Sequence, residues 1–470
     1  MGSLPTLSTI AFLPVKFAMR CLALLLCISS LTSAAIANER SPRPNVVIFF
    51  TDDQGTLDAN CYGSTDLYTP NIDRLAKTGV RFTQAYAHMV CCPARAMLMT
   101  GRYPQRSGVN QWTQGNLKSV PGVNMAVEEV TLAEALKATG YRTALFGKWH
   151  LGAHRDFGPT RQGFDEFFGH RGGFIDNYNH FFLHGKGFHD LYEGTEEVFQ
   201  RDEYFPDLMT ARAVEYIAAN KDAPFFMVVA FNLPHYPEQP DSQFDKRYAN
   251  LPMPRRSYAK VISTVDDRIG RIVTALEEND VLDHTILVCM SDNGHSAETN
   301  EIRFDDHHSG LPKGHRYGAN GGGGNTGKWL GHKATFFEGG IRVPLLVSYP
   351  AKLPAGIKRD QAVTAMDIYP TVLKLCGVEV PDDVKLDGHS LLPIINANAN
   401  SQYEVMHWQW MRGWCVREGN WKLISNGQNE KLVNLADEQP EQTNHTADHP
   451  DVVTRLRKLH EEWTADVSPK

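Results

Sequence analysis

Two pairs of hard-oxygen side chains, Asp52-Asp53 and Asp292-Asn293, each follow an apolar run and each is closely followed by a glycine. Brought together, they make an all-oxygen site suited to calcium or magnesium and not to zinc. A set of cations accompanies them: Arg95, Lys148 with His150, His235 in Pro234-His235-Tyr236-Pro237, and Lys333 in His332-Lys333-Ala334-Thr335. One such residue is more often a cap, a surface lysine or a core histidine. The set surrounds a metal with the positive groups that a tetrahedral oxyanion requires, and its histidines can move protons near neutral pH. Cys91 and Cys92 open a predicted helix in MVCCPARAMLMTGR, with Arg95 one turn inside. Neither has a partner at the C-x-x-C spacing of a zinc site. A thiolate is soft, so a cysteine nucleophile beside a hard cation is a mismatch unless its sulfur is replaced.

Strand and helix signals alternate through the middle of the chain, which predicts an α/β fold with a mainly parallel sheet flanked by helices. The stretches 45–50, 141–146, 225–231 and 286–290 read as strands, the first of them buried. They lead into Asp52-Asp53, Lys148-Trp149-His150, His235 and Asp292-Asn293 respectively. In open sheets of this kind the ligand crevice lies beyond the strand C-termini, so distant segments converge there. A capping box, Thr131-Leu132-Ala133-Glu134, starts a helix that stops at Gly140. The stretch 318–327 (GANGGGGNTG) reads as a flexible surface loop, since it lacks the strand and the G-K-[ST] ending of a P-loop. From residue 396 onward, short strand-like segments at 403–410, 414–417 and 421–425 precede a helix at 451–464. These predict a smaller α+β C-terminal domain, 396–470, containing an antiparallel sheet, after a catalytic domain at 38–395.

The 470 residues are 42% hydrophobic and 21% charged, enough for a large core. Arg20, the apolar run 21–31 and Ala35-Ile36-Ala37 read as a secretory signal peptide over 1–37, too short to span a membrane. Its removal takes Lys16 and Arg20 and no acid, moving the net charge from -7 to -9. The expected mature chain is secreted or periplasmic, with no membrane span. Its acidity excludes nucleic-acid binding by bulk charge, and any anionic substrate must be held by local cations. Six cysteines remain after cleavage; Cys289 and Cys376 read as core thiols, and pairing among Cys61, Cys92 and Cys415 is left open.

Cys91-Cys92-Pro93-Ala94-Arg95 with Thr100-Gly101 fits C-x-P-x-R-x4-T-G, and here the chain resembles the type I sulfatases. The resemblance extends over TDDQG, GKWHLG, GPTRQGFDEFFG, PHYP, SDNGH, HKATFFEGGIRVP and VREGNWKLI, nearly the whole mature chain. It implies an alkaline-phosphatase-like fold and conversion of Cys91 to formylglycine by a maturation enzyme. It also implies one calcium at Asp52, Asp53, Asp292 and Asn293, with modified Cys91 as a further ligand. Arg95 would hold the formylglycine, Lys148, His235 and Lys333 the sulfate, and His150 the hydrated aldehyde. By that resemblance a hydroxyl of the hydrate attacks sulfur. His235, with Lys333 nearby, protonates the leaving alcohol, and His150 helps to expel sulfate.

A sulfated carbohydrate is the expected substrate. Asp176-Asn177-Tyr178-Asn179-His180, Asp305-Asp306-His307-His308, the Gly-rich stretch with Lys328-Trp329, and Trp408-Gln409-Trp410 are candidates for contacting it. Two other functions share these residues. One is a formylglycine-dependent phosphodiesterase or phosphonate monoester hydrolase; the other is a non-catalytic carbohydrate-binding protein, should Cys91 stay unmodified.

Overall fold

A computed structural model describes residues 1–2, 43–113 and 123–468. Within it, Arg43–Lys470 is one compact unit. Apart from residues 1–2, the signal-peptide reading over 1–37 lies outside the described residues. No described helix is long and apolar enough to cross a membrane.

A ten-stranded sheet organises the chain. Its order is Ile357–Thr364, Val80–Tyr86, Arg342–Ser348, Thr285–Ser291, Asn45–Asp52, Phe225–Pro234, Arg142–Lys148, Glu166–His170, Tyr192–Glu193 and Glu196–Glu197. The four expected strands form its centre and run parallel. Each is one to three residues longer than the segment that announced it. Burial on both faces accounts for the mainly apolar sequence of three of them; Arg142–Lys148 starts on an exposed arginine and is buried from Thr143 onward. Val46, Ile48 and Phe50 enter one core, with the helices Cys91–Thr100, Leu132–Lys137 and Ile368–Cys376. Val47 and Phe49 enter the other, with Pro70–Thr78, Phe205–Asn220 and Arg255–Glu278.

Arg342–Ser348 pairs antiparallel with both of its neighbours, so Val80–Tyr86 runs parallel with the central strands. That polarity sets the site. Val80–Tyr86 delivers its C-terminal end, and with it Cys91, to the same edge as the four expected strands. Arg342–Ser348 begins at this edge and brings in the residues before it, including Lys333.

The capping box forms as expected, with Glu134 N donating to Thr131 Oγ1 at 3.1 Å and Thr131 N to Glu134 Oε2 at 2.8 Å. All ten residues of Cys91–Thr100 are buried, and Gly101 ends the helix at φ 66, where its N–H donates to Met97 O. The smaller antiparallel sheet has four strands, Val405–Trp410, Gly413–Glu418, Trp421–Ser425 and Glu430–Asn434, of which the last was not anticipated. The helix Pro450–Val467 covers it through Val452, Val453 and Leu456. Trp408 Nε1 ties this sheet to the larger one, donating to Ala87 O at 2.8 Å.

The Gly-rich stretch departs from its flexible-loop reading. Arg316–Asn320 pairs as a strand with Thr299–Glu301, and the glycines that follow are held against the body. Arg255 Nη1 donates to Gly323 O at 2.8 Å, and Asn325 N to Asp58 Oδ2 at 2.9 Å. A Cβ at Gly324 would lie 2.2 Å from His295 Cβ, so close approach is what requires glycine there.

Candidate active site at the sheet edge

All ten residues singled out from sequence are buried at this edge. Ligand atoms of Asp52, Asp53, Cys91 and His235 lie within 4.8 Å of one another. Asp53 N donates to Asp292 Oδ1 at 3.1 Å, and Asn293 Nδ2 to Asp53 Oδ1 at 2.6 Å. Around the acids, Lys148 Nζ reaches Asp52 Oδ2 at 2.6 Å and Lys333 Nζ reaches Asp53 Oδ2 at 2.9 Å. Arg95 Nη2 donates to Asp292 Oδ2 at 2.9 Å while its Nη1 holds Lys148 O at 3.0 Å. Gly294 lets Asp292 and Asn293 come this close: a Cβ there would sit 1.8 Å from Gly339 O.

Three residues of the site have a left-handed backbone that non-glycine residues rarely adopt: Asp53 (φ 68), His150 (φ 56) and Ala334 (φ 66). Such conformations cost of order 1–3 kcal/mol each and persist where the surroundings over-determine them. The hydrogen bonds Ala334 N to Met89 O (2.7 Å) and Thr113 Oγ1 to His150 O (2.7 Å) are part of that constraint.

The donor set fits a hard divalent cation. Asp52 Oδ1 and Asn293 Oδ1 are buried without a hydrogen-bond partner among the described residues. Burial first, then Asp52 and Asp292, push the Asp53 carboxyl up to about 7, while Lys333 works against the rise. Burial and Asp52 push Asp292 up to about 6, opposed by Arg95 and Lys148. Asp52 stays well below the usual carboxylate range, because Lys148, His235, Arg95 and Lys333 outweigh its burial. Positive charge placed among the three would let all of them ionise. The Cys91 thiol does not match this chemistry. Burial and the Asp52 charge push it well above its ordinary value, so at neutral pH it is neither a strong nucleophile nor a ready ligand.

The two histidines differ. His235 Nδ1 lies 2.6 Å from Tyr236 O, which makes it the N–H donor and turns Nε2 toward Asp53 Oδ2 at 3.7 Å. His150 has both ring nitrogens buried without a partner among the described residues, and its ring stacks on Trp112 at 6.2 Å. Burial and the nearby lysines hold both well below the usual histidine range.

Cys91, His150, His235 and Lys333 line a cavity of about 620 Å³; the other site residues stand behind them. Its walls also include Trp112, Phe174, His184, Tyr236, Glu298 and His332. Tyr236 and His332 sit inside motifs already noted, whereas Trp112 and Phe174 carry no local signal. None of the four segments named for substrate contact supplies a lining residue. Asp176 caps its own turn, Asp305 and Asp306 pair with Lys313 and Lys186, and Trp329 packs under Lys328 and Arg342. Trp410 comes nearest, packing edge-on against Trp112 at 5.2 Å.

Comparison with known proteins gives the family. The family model described as Sulfatase matches residues 44–378, most of the chain. The chain belongs to the sulfatase family. These are sulfuric ester hydrolases, and the sheet described above is their alkaline-phosphatase-like fold. A second family model, N-sulphoglucosamine sulphohydrolase, C-terminal, matches residues 327–467 of this sulfatase. It is 30% identical to N-acetylgalactosamine-6-sulfatase of Sus scrofa, over 82% of this chain and 76% of the relative. It is 29% identical to Arylsulfatase J of Mus musculus over 82% of this chain, and spans 64% of that protein. Among solved structures, Ps i-CgsB in complex with k-i-k-neocarrahexaose superposes with a TM-score of 0.77 at 29% identity, covering 91% of this chain and 94% of that one.

Proposed function

We propose that this sulfatase is exported and removes sulfate from a sulfated carbohydrate, with Cys91 oxidised to formylglycine and calcium held by Asp52, Asp53, Asp292 and Asn293. Residues 38–395 would carry the reaction and 396–470 would form the smaller domain. The observation that carries the reading is the convergence of Asp52, Asp53, Cys91 and His235 within 4.8 Å, ringed by Lys148, Lys333 and Arg95. When present, the two groups supply a geminal-diol oxygen at position 91 and a divalent charge beside it.

The chain's own residues do the rest. Lys148 and Lys333 take oxygens of the sulfate ester, so negative charge that builds up in transfer meets fixed cations in a dry site. Arg95, fixed by Asp292 and by Lys148 O, holds the position-91 side chain. His235, its Nδ1 committed to Tyr236 O, presents Nε2 to the site. Once the charge of the bound sulfate ester has drawn a proton onto that nitrogen, the imidazolium passes it to the leaving alcohol and returns to the neutral ring. His150, neutral in its pocket, accepts a proton so that sulfate can depart.

The carbohydrate part rests on the cavity: Trp112, 45% exposed, offers a flat apolar face, and His184, Glu298 and His332 offer polar groups to hydroxyls. The names of the pig relative and of the oligosaccharide complex support it.

Peptide mass spectrometry across Cys91 of protein from its native host tests the chemistry. Aldehyde or hydrate mass is the expected result; an unmodified thiol sinks it. Sulfate, phosphodiester and phosphonate esters of one chromogenic alcohol test the substrate class, and a preference for phosphorus overturns it.

A further inference from the structure

The segment that carries Lys333, residues 330–338, is held at its tip and at its base. At the tip, Lys333 N donates to His295 O at 2.9 Å and Ala334 N to Met89 O at 2.7 Å. At the base the two ends meet, Gly339 N donating to Leu330 O at 2.7 Å. One carboxylate closes the same gap from outside. Glu441, 111 positions beyond Leu330, accepts from Leu330 N at 3.2 Å and from Glu338 N at 3.0 and 3.1 Å.

Glu441 is fully buried and has a left-handed backbone, φ 67. It pairs with Lys422 of the small sheet at 3.0 Å, and Lys422 pairs equally with Glu338 at 3.0 Å. Glu338 also pairs with Arg342 at 3.3 Å, so the buried group sets two cations, Lys422 and Arg342, against two carboxylates, and Glu441 is the one that reaches the base of the Lys333 segment from outside it. Beyond Lys422, the Glu441 carboxylate bonds, among the described residues, only to backbone N–H groups of the Lys333 segment. Buried charge on a strained backbone with those partners points to a purpose in the segment it grips.

We infer that Glu441 is a positioning residue: its carboxylate fixes residues 330–338, and with them the point at which the Lys333 ammonium meets a sulfate oxygen. This rests on the reading of Lys333 as a sulfate-binding group. It makes the C-terminal sheet part of the active site without placing any of its residues in the cavity.

Calorimetric titration of the full-length protein with inorganic sulfate tests this independently of turnover. Glu441→Gln keeps the shape and one acceptor oxygen; Glu441→Asp keeps the charge for Lys422 and withdraws it from the two N–H groups. Each is expected to weaken sulfate binding about tenfold, as for a lost charge-assisted contact. Each also raises KM for a sulfate ester by a larger factor than it lowers kcat. In a Lys333→Ala background neither changes sulfate affinity more than about twofold, because the coupled group is gone. Unchanged sulfate affinity in either folded variant, or equal losses in both backgrounds, overturns the inference; if one variant does not fold, the other decides. Unchanged affinity in Lys333→Ala alone shows instead that the reading of Lys333 is wrong.

Discussion

Lys148 Nζ sits 2.6 Å from Asp52 Oδ2 with neither side chain exposed to solvent. The ammonium is aimed by its strand and held by a carboxylate of the candidate metal site, so its charge is fixed just behind the cavity wall before an anion arrives. Lys148→Met keeps the bulk and removes the charge. It is expected to lower kcat/KM for a sulfate ester on the order of a hundred- to a thousandfold, the loss typical of a preorganised charge at a transition state. Steady-state kinetics at saturating calcium measure it. A loss under tenfold removes Lys148 from the assigned role.

The adjacent cysteines should separate cleanly on substitution. Cys91→Ser is expected to keep sulfate-ester binding and to lose multiple turnover, since serine cannot supply a geminal diol. Single- and multiple-turnover assays distinguish the two. Cys92 lies in the core, with its Sγ 3.7 Å from Gln111 O. Cys92→Ala therefore costs about 1 kcal/mol of stability, read by denaturant melts, and leaves kcat unchanged.

Removing calcium should show as stability before it shows as chemistry. Asp52, Asp53 and Asp292 lie together in the core, and burial drives the latter two toward their protonated forms. At calcium a hundredfold above its dissociation constant, binding to the folded state alone contributes about 2.7 kcal/mol. Chelation should then lower the melting temperature on the order of 5 °C, with calcium restoring it and zinc not. A melting temperature indifferent to chelator contradicts the metal assignment.

His88 gives a pH signature away from the acids. It is buried with its Nε2 3.1 Å from Gln409 O, and burial holds it down to about 3. Because this value lies below the unfolded one near 6.5, its contribution is complete above pH 6.5. It is lost as pH falls toward 3, where the unfolded chain binds a proton that the folded one refuses. Wild type should therefore lose more stability than His88→Gln between pH 6.5 and 4, by more than about 1 kcal/mol per pH unit. Parallel urea melts at several pH values measure the difference; superimposable profiles refute it.

What the sequence disclosed follows from how locally each feature is encoded. Three of the four central strands appear as nearly unbroken apolar runs because they are buried on both faces; the fourth, Arg142–Lys148, opens on Arg142 and Thr143 and was legible from the capped helix before it and the polar residues just beyond. Val80–Tyr86 and Arg342–Ser348 carry Arg81, Thr83, Gln84 and Arg342 among their apolar residues, and neither was recognised as a strand. Their pairing, which brings Cys91 and Lys333 to the shared edge, is a property of the assembled sheet. The Gly-rich stretch misled because glycine has two uses. Composition suggests freedom, whereas Gly324 is there because His295 leaves no room for a Cβ. Trp112 and Glu441 were invisible for a third reason: each acts through a partner far along the chain.

The common edge also bears on how such a protein changes. Reacting residues leave the sheet on one side, while the connecting helices return along its two faces. The chain between His295 and Leu330 can then lengthen or shorten with both of its ends anchored. In the turn between its paired strands, Glu301 to Arg316, added length is charged only about 0.6 kcal/mol of loop closure for each doubling. New substrate preferences can arise by insertion there without re-sorting a single strand. The natural unit for a graft from a relative is thus residues 296–329, cut inside the two anchors.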